Sequence, residues 1–295
     1  MPETKDRLPV EMMERLVAEP MAVVRSDGLE AGEAAFDRLL ADTKARKGPR
    51  SVEAADLLTA FAVELYLENH EPDSPELEAA RRYQKDAIPA YVAAFGPNHP
   101  EVALALNTQA DLEREQSPQD PPPSVDSELR QALQVRARSL GPTDPETVAT
   151  LVQLADIRGL PERLKRDPNG VAAADSLYRR AIAGAIPGPE GDERSNKAAI
   201  ELRLAELHAR SGSAAVALAE ARRALDISKD WTPRRRRCAL VESELDDFVE
   251  LMTARGLGGR AEALRPKGRE SACGSPSPGE AGRAFLRRLF GFDPA

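Results

Sequence analysis

The sequence offers few side chains whose type and spacing could carry covalent or metal chemistry. Its three histidines, His70, His99 and His208, fall in a predicted turn, at a predicted corner and on a predicted helix, with no cysteine or carboxylate at ligand spacing. The two cysteines, Cys238 and Cys273, form neither a disulfide framework nor a metal motif. No segment has the pattern of a phosphate-binding glycine loop or of a nucleophile elbow. We therefore predict that the protein is not an enzyme and has no cofactor and no metal site.

A run of four arginines, Arg234 to Arg237, is the most concentrated charge in the chain. It lies in the first turn of a helix that Thr232 and Pro233 are predicted to begin, where the helix dipole disfavours cations. One interpretation is a binding site for an anion such as a phosphate, an acidic peptide or a lipid head group. The other, which we favour, is pairing with Glu242, Glu244 and neighbouring acids on an exposed face.

Repeated corners position the remaining polar residues. Gly-Pro pairs recur at intervals of 45 to 48 residues, beginning at Gly48, Gly96, Gly141 and Gly188. Glycine can adopt the left-handed conformation that ends a helix, and the proline after it prevents the helix from continuing. In two corners a second proline, Pro100 or Pro145, suits the first position of a new helix, with His99 or Asp144 as its cap. Each corner thus predicts a helix, a tight turn and a helix, and the period predicts an α-solenoid.

The segment Gln134–Ala149 resembles the long tetratricopeptide repeat of the kinesin-light-chain type. That unit has a helix ending in Leu-Gly-Pro, an acidic corner with a proline, and a helix carrying Leu-Asn-Asn-Leu-Ala. Leu106–Ala110 and Leu151–Ala155 match the last element in part, and the resemblance extends over about Ser51 to Leu225. It implies an all-α fold, a right-handed superhelical α-solenoid of about five to six helix pairs. The Pro/Gly/Ser-rich composition of Arg265–Gly279 predicts a flexible C-terminal tail after it.

The resemblance also indicates where a binding groove would lie, because the first helix of each pair lines the concave surface in this family. The register is marked by small core residues, Ala62, Ala110, Ala155 and Ala205. The polar residues beside these alanines, which we predict to bind a partner in the groove, are Asn107, Thr108, Asp111, Gln153, Asp156, Arg203 and Glu206. The amides would bond the partner's backbone, and the three acids would favour a partner rich in Lys or Arg. The alternative is that these residues form the solvated face that every solenoid needs.

The C-terminal segment is amphipathic. Its large apolar residues, predicted to dock on another surface, are Phe285, Leu286, Leu289 and Phe290, with arginines on the opposite side. The segment could dock on a partner, on another copy of the chain, or weakly on a membrane surface. Alternatively it could fold back and cap the last repeat, and the sequence leaves both interpretations open.

Composition limits the class of partner. The formal net charge is −8 and the pI is about 5.2, which disfavours nucleic acid as the main partner. Aromatic residues make up 4% of the chain, as suits closely packed helices. No apolar run approaches the length of a membrane span, and no signal peptide is evident in Met1–Asp27. We therefore expect a cytoplasmic protein.

The chain divides into three predicted regions: an N-terminal capping segment at 1–28, a helical repeat domain at 29–265, and a linker with a short helix at 266–295. Pro20 is expected to interrupt the first region, giving an irregular helix pair. Two insertions are predicted as loops, the proline-rich Ser117–Ser124 and the charged Gly159–Gly170. Helix Glu128–Leu140 is predicted to follow the first insertion, and helix Val171–Ile186 the second.

Two functions from different classes follow from these observations. The first is an adaptor or scaffold that binds a segment of another protein in the groove of the repeats, where the acidic residues favour a basic segment. The second is a membrane-proximal or self-assembling structural protein that acts through its amphipathic tail. The oligomeric state is not predicted by either.

Overall fold

The computed structural model describes residues 8, 10–167, 169–187, 196–228 and 238–265. These residues form helices and, apart from one isolated bridge between Ile186 and Asn196, no β-structure. The helices are α1 (Val10–Asp27), α2 (Leu29–Lys47), α3 (Val52–Glu68), α4 (Pro75–Phe95), α5 (Pro100–Gln116), α6 (Pro123–Ser139), α7 (Pro145–Arg158), α8 (Pro161–Arg166), α9 (Gly170–Gly184), α10 (Lys197–Arg210), α11 (Ala214–Ser228), α12 (Cys238–Ala254) and α13 (Gly258–Glu262).

The helices pack as consecutive pairs in two compact units, the first reaching Ser139 and the second beginning at Leu140. In the first unit α1 packs on α2, α3 on α4 and α5 on α6, and neighbouring pairs meet through α1 and α3 and through α4 and α5. In the second unit α7 packs on α9, α10 on α11 and α12 on α13, with contacts from α10 to α9 and α12. We call the first helix of each pair the A helix and the second the B helix. The predicted all-α fold of about five to six helix pairs is confirmed.

The glycine corners explain how one pair leads to the next. Gly48, Gly96 and Gly141 all have positive φ, at 103°, 85° and 98°. At Gly48 and Gly96 ψ is 150° and 156°. This is an extended conformation essentially confined to glycine, rather than the left-handed helical one predicted. The predicted caps are confirmed, since the side chains of His99 and Asp144 accept hydrogen bonds from the backbone N–H groups of the second helical residue. The fourth corner, at Gly188, lies outside the described residues.

An aromatic cluster anchors the first unit. Phe36 on α2 stacks on Phe61 on α3 with 4.1 Å between ring centroids, and Tyr83 on α4 meets both rings edge-on at 5.1 Å. Both phenylalanines are fully buried, and such ring pairs add roughly 0.5–1.5 kcal/mol each beyond area burial. These three rings hold α2, α3 and α4 together, although the chain as a whole has few aromatic residues.

Pro20 does not interrupt α1 as predicted. The helix runs unbroken from Val10 to Asp27 with Pro20 inside it and buried. The ring removes one helix hydrogen bond, but α2 packs closely over this turn because Gly32 lies there. A Cβ on Gly32 would lie 2.1 Å from Val24 Cγ2 and 3.1 Å from the carbonyl oxygen of Pro20. Packing therefore overrides the local preference of proline.

Both predicted loops are shorter than expected, because proline begins a helix in each. After Ser117–Pro122, α6 starts at Pro123 rather than Glu128, and the Ser124 hydroxyl donates a hydrogen bond to Glu113 on α5. In the second insertion Pro161 is the first residue of α8. Helix α9 in turn ends at Gly184, two residues before the predicted end.

Candidate protein-binding surface

Helix α10, the central A helix of the second unit, is buried almost all round. Within α10 every residue is buried except Lys197, Arg203 and Arg210. Alanine and leucine fill most of the buried positions of the helix and allow α9, α11 and α12 to approach it closely. A polar side chain on α10 therefore lies beside side chains of these neighbouring helices.

Arg203 connects three A helices. Its Nη1 donates a hydrogen bond to Asp156 Oδ2 on α7 at 2.6 Å. Its Nη2 and Nε both donate to Glu244 Oε1 on α12, at 2.8 and 3.1 Å. About four-fifths of the side chain is buried, with 21% exposed. The guanidinium thus fixes the spacing of α7, α10 and α12 within this unit.

Burial and neighbouring charges shift the pKa values of Arg203 and of Tyr178. Burial alone would lower the pKa of Arg203, but the carboxylates of Asp156 and Glu244 raise it above its ordinary value. Tyr178, on the B helix α9, donates its hydroxyl to Asp156 Oδ1 at 2.5 Å, and burial followed by the Asp156 charge raises its pKa. Asp156 therefore accepts from two helices and is held in one orientation.

Glu206 is less well supplied with donors. Its Oε2 accepts one hydrogen bond from Arg210, one turn further along α10, at 2.7 Å. Its Oε1 is buried and has no hydrogen-bond partner. Burial, with the nearby charges of Glu244 and Asp247, raises the pKa of Glu206 to about 8. A carboxyl group in such a position favours an additional donor or cation.

Asp247 completes this surface. It lies one turn after Glu244 on α12, is exposed, and has no ion pair within the described part of the chain. We call the set Asp156, Arg203, Glu206, Glu244 and Asp247 the acidic ladder. It contains four carboxyl groups and one guanidinium, and the guanidinium of Arg210 lies beside it.

The predicted groove residues are placed differently in the two units. Asp156, Arg203 and Glu206 belong to the acidic ladder, whereas Gln153, on the same helix as Asp156, is buried with 2% of its surface exposed. In the first unit α5 carries Asn107, Thr108 and Asp111, all of them buried. Thr108 donates to the carbonyl of Leu104 in its own helix, and Asp111 pairs with Arg114 at 3.6 Å. Asn107 and Gln153 each have an interaction within the fold, and the binding role of all seven stays a prediction.

His208 lies on the B-helix side of α10, where the structure assembles a cluster that sequence spacing did not indicate. Its Nδ1 is 2.5 Å from Glu220 Oε2 on α11, and its Nε2 is 3.2 Å from Asp175 Oδ1 on α9. The ligand atoms lie within 4.8 Å of one another. Arg179 donates to both carboxylates, and each ring nitrogen faces a different one. These contacts join α9, α10 and α11.

Glu244 was predicted to lie on an exposed face as a partner of the arginine run, whereas in the structure it is buried and accepts hydrogen bonds from Arg203. Asp247, and Tyr178 beside the ladder, were not predicted to take part in this surface. A signal for Glu244 was available, because Arg203 occupies a register position that Thr108 and Gln153 fill in earlier repeats. A cation among uncharged, inward-facing residues requires acids on the neighbouring helices. The contact of Tyr178 across the pair depends on helix geometry and had no comparable signal.

Several predicted features lie outside the described residues. They are the arginine run at 234–237, the linker from residue 266 onward, and the tail residues Phe285, Leu286, Leu289 and Phe290. Among the helices that the structure does describe, none combines the length and apolar character needed to cross a membrane.

Comparison with known proteins identifies the fold. The chain is similar to the crystal structure of BtubC (BKLC) from P. vanneervenii, with a TM-score of 0.55 and 15% sequence identity. The match covers 96% of this chain and 94% of that one. No protein-family model matches the sequence. No curated protein matches it significantly either. The likeness supports a tetratricopeptide-like helical repeat fold.

Proposed function

We propose that this chain is a non-enzymatic protein-interaction scaffold that binds a basic segment of a partner protein on the A-helix surface of its second unit. The acidic ladder provides the contact. The α5 residues Asn107, Thr108 and Asp111 are a further predicted contact in the first unit.

The observation that carries the proposal is the incomplete neutralisation of the ladder. Arg203 uses all three of its nitrogens on Asp156 and Glu244, which leaves Glu206 with one donor and Asp247 with none among the described residues. Burial and the Asp156 carboxylate also raise the pKa of Glu244 despite its contact with Arg203. Lysine or arginine from a partner would supply the missing positive charge.

The same charges explain the class of partner. A cluster of one sign increases the rate of encounter with an oppositely charged segment and excludes segments of like charge. The chain as a whole carries more acids than bases, which adds to this field. Helical repeat folds suit such a role because stacked pairs build extended surfaces for a bound chain.

The test uses a fluorescent decapeptide of alternating Lys and Ala, with a Glu-Ala peptide as the control probe. Binding to the full chain is measured by fluorescence anisotropy at low salt. Asp247→Lys reverses an exposed charge without breaking an ion pair among the described residues, and should weaken binding about tenfold through like-charge repulsion.

Asp226→Lys is the matched control variant. Asp226 is an exposed aspartate on α11, in the same unit, also without an ion pair in the described residues. Both variants change the net charge of the chain equally. A difference in their binding of the peptide therefore reports the local position of Asp247. Equal loss in the two variants, or equal binding of both peptides to the unchanged chain, would contradict the proposal.

A further inference from the structure

The contact between Arg210 and Glu206 distinguishes one position on the acidic ladder from the others. Glu206 has 10% of its side chain exposed and one unsatisfied oxygen, whereas a carboxylate offers about four acceptor positions. Every other carboxylate of the ladder either pairs with Arg203 or faces solvent. Glu206 is therefore a buried acceptor that the fold does not fully satisfy.

Arg210 can leave without disturbing the helices. It is the last residue of α10, 35% of its side chain is exposed, and its guanidinium joins Glu206 through an i,i+4 pair, a class of contact that contributes little to stability. Arg203 cannot take its place, because its nitrogens are already committed to two other carboxylates. Once Arg210 rotates away, the described residues offer Glu206 no other hydrogen-bond donor.

The surroundings of Glu206 suit a cation better than a neutral group. Glu244 and Asp247 on α12 both raise its pKa through their charges, after the larger effect of burial. A positive group seated between α10 and α12 would interact with all three carboxyl groups. An ammonium carries three donors and a guanidinium five, enough to satisfy the free oxygen of Glu206 with donors to spare.

We propose that Arg210 occupies, within the same chain, the position that one Lys or Arg of the partner takes on binding, so that α10 and α12 form a socket for a single basic side chain. The inference rests on the proposed function and deepens it. Binding then begins by exchange of one cation for another at Glu206, and Arg210 lowers the affinity for weakly basic segments.

The experiment compares Arg210→Ala and Arg210→Gln with the unchanged full chain, using the Lys-Ala decapeptide and fluorescence anisotropy. Removing a competing cation beside the site should strengthen binding about threefold to tenfold. Arg223→Ala is the control, because Arg223 also pairs with buried acids of this unit, Glu201 and Glu220, on the B-helix side. It should change binding much less than the Arg210 variants.

The double variant Arg210→Ala with Glu206→Gln decides whether the gain comes from the socket. Measured above pH 8, where Glu206 is ionised, the gain should disappear, because a neutral amide does not attract the probe as a carboxylate does. Circular dichroism verifies that the helices are retained. A gain that persists in the double variant, or an Arg210 variant that binds no better while the unchanged chain binds, overturns the socket alone. Failure of both the unchanged chain and the Arg210 variants to bind the probe overturns the proposed function as well.

Discussion

Arg203 is both a predicted binding residue and a residue that holds helices of the fold together. Arg203 was predicted as a groove residue, and in the structure it also holds α7, α10 and α12 together through Asp156 and Glu244. Substituting such a residue is expected to lower the stability of the fold, whether or not a partner is present. Binding experiments on the ladder therefore require variants that leave Arg203 unchanged.

The first prediction concerns that loss of stability. Arg203→Met should lower the free energy of unfolding by about 3 kcal/mol or more, because it leaves two partly buried carboxylates without their cation. Arg222→Met, at an exposed position of α11, should change it by less than about 0.5 kcal/mol. Urea unfolding followed by circular dichroism measures both. Similar values for the two variants would mean that the Arg203 contacts contribute little.

The second prediction concerns pH and Glu206. The pKa of this carboxyl group rises from 4.5 to about 8 on folding, so the folded protein binds more protons than the unfolded chain between these values. Stability should therefore fall as pH rises from about 4.5 through about 8, by roughly 1.4 kcal/mol for each unit of pKa shift.

Glu206→Gln isolates this effect, which matters because burial and the Glu113 charge also raise the pKa of Glu128 to about 8. The variant should be more stable than the unchanged chain at pH 8 and lose that advantage near pH 4.5. Thermal unfolding across this range measures the difference. A constant difference at every pH would show that Glu206 does not titrate in the window.

At the scale of helices, the corners carry the fold from one pair to the next. Gly96 has positive φ with ψ of 156°, a conformation that alanine adopts only with strain. No neighbouring atom lies within 4 Å of a Cβ built there, so backbone strain is the only cost of a substitution. The backbone conformation of this corner thus requires glycine at position 96.

The third prediction follows from that requirement. Gly96→Ala should destabilise the protein by about 1–3 kcal/mol through backbone strain. Gly259→Ala, in helix α13, also meets no atom within 4 Å and should be neutral or stabilising by up to about 1 kcal/mol. Urea denaturation compares the two, and an equal effect at both positions would show that the corner conformation is not restrictive.

The same scale shows what could be predicted from the sequence. Local signals are strong at the corners and caps: the helix end at Gly96 and the cap at Asp144 are confirmed, although Gly96 is extended with positive φ rather than left-handed helical as predicted. Predictions based on proline were less accurate, since Pro20 stays inside a helix and Pro123 begins one. Their outcome depends on packing against α2 and α5, which the local preference of proline does not indicate. The ladder was predicted in part, because its register is local but its partners on α9 and α12 are not.

For the whole molecule, charge rather than apolar area is the basis of the proposed recognition. The fourth prediction is that affinity for the Lys-Ala probe falls steeply between 50 and 300 mM salt, because salt screens the attraction between exposed charges. The Debye length is about 10 Å near 100 mM salt, which lies between these two test concentrations. Removing Glu280–Ala295 should leave that affinity unchanged, because the acidic ladder lies in α7, α10 and α12. Loss of binding on truncation would instead support the tail as the recognising segment.

The most direct test of the acidic ladder is photo-crosslinking of the Lys-Ala probe to the full chain, with the sites located by mass spectrometry. The probe carries a diazirine at its centre and is bound at low salt. We predict crosslinks concentrated in the segments 196–210 and 238–254, reduced by Asp247→Lys and retained in Asp226→Lys. Crosslinks confined to α9 and α11, or to the residues after 265, would contradict the account.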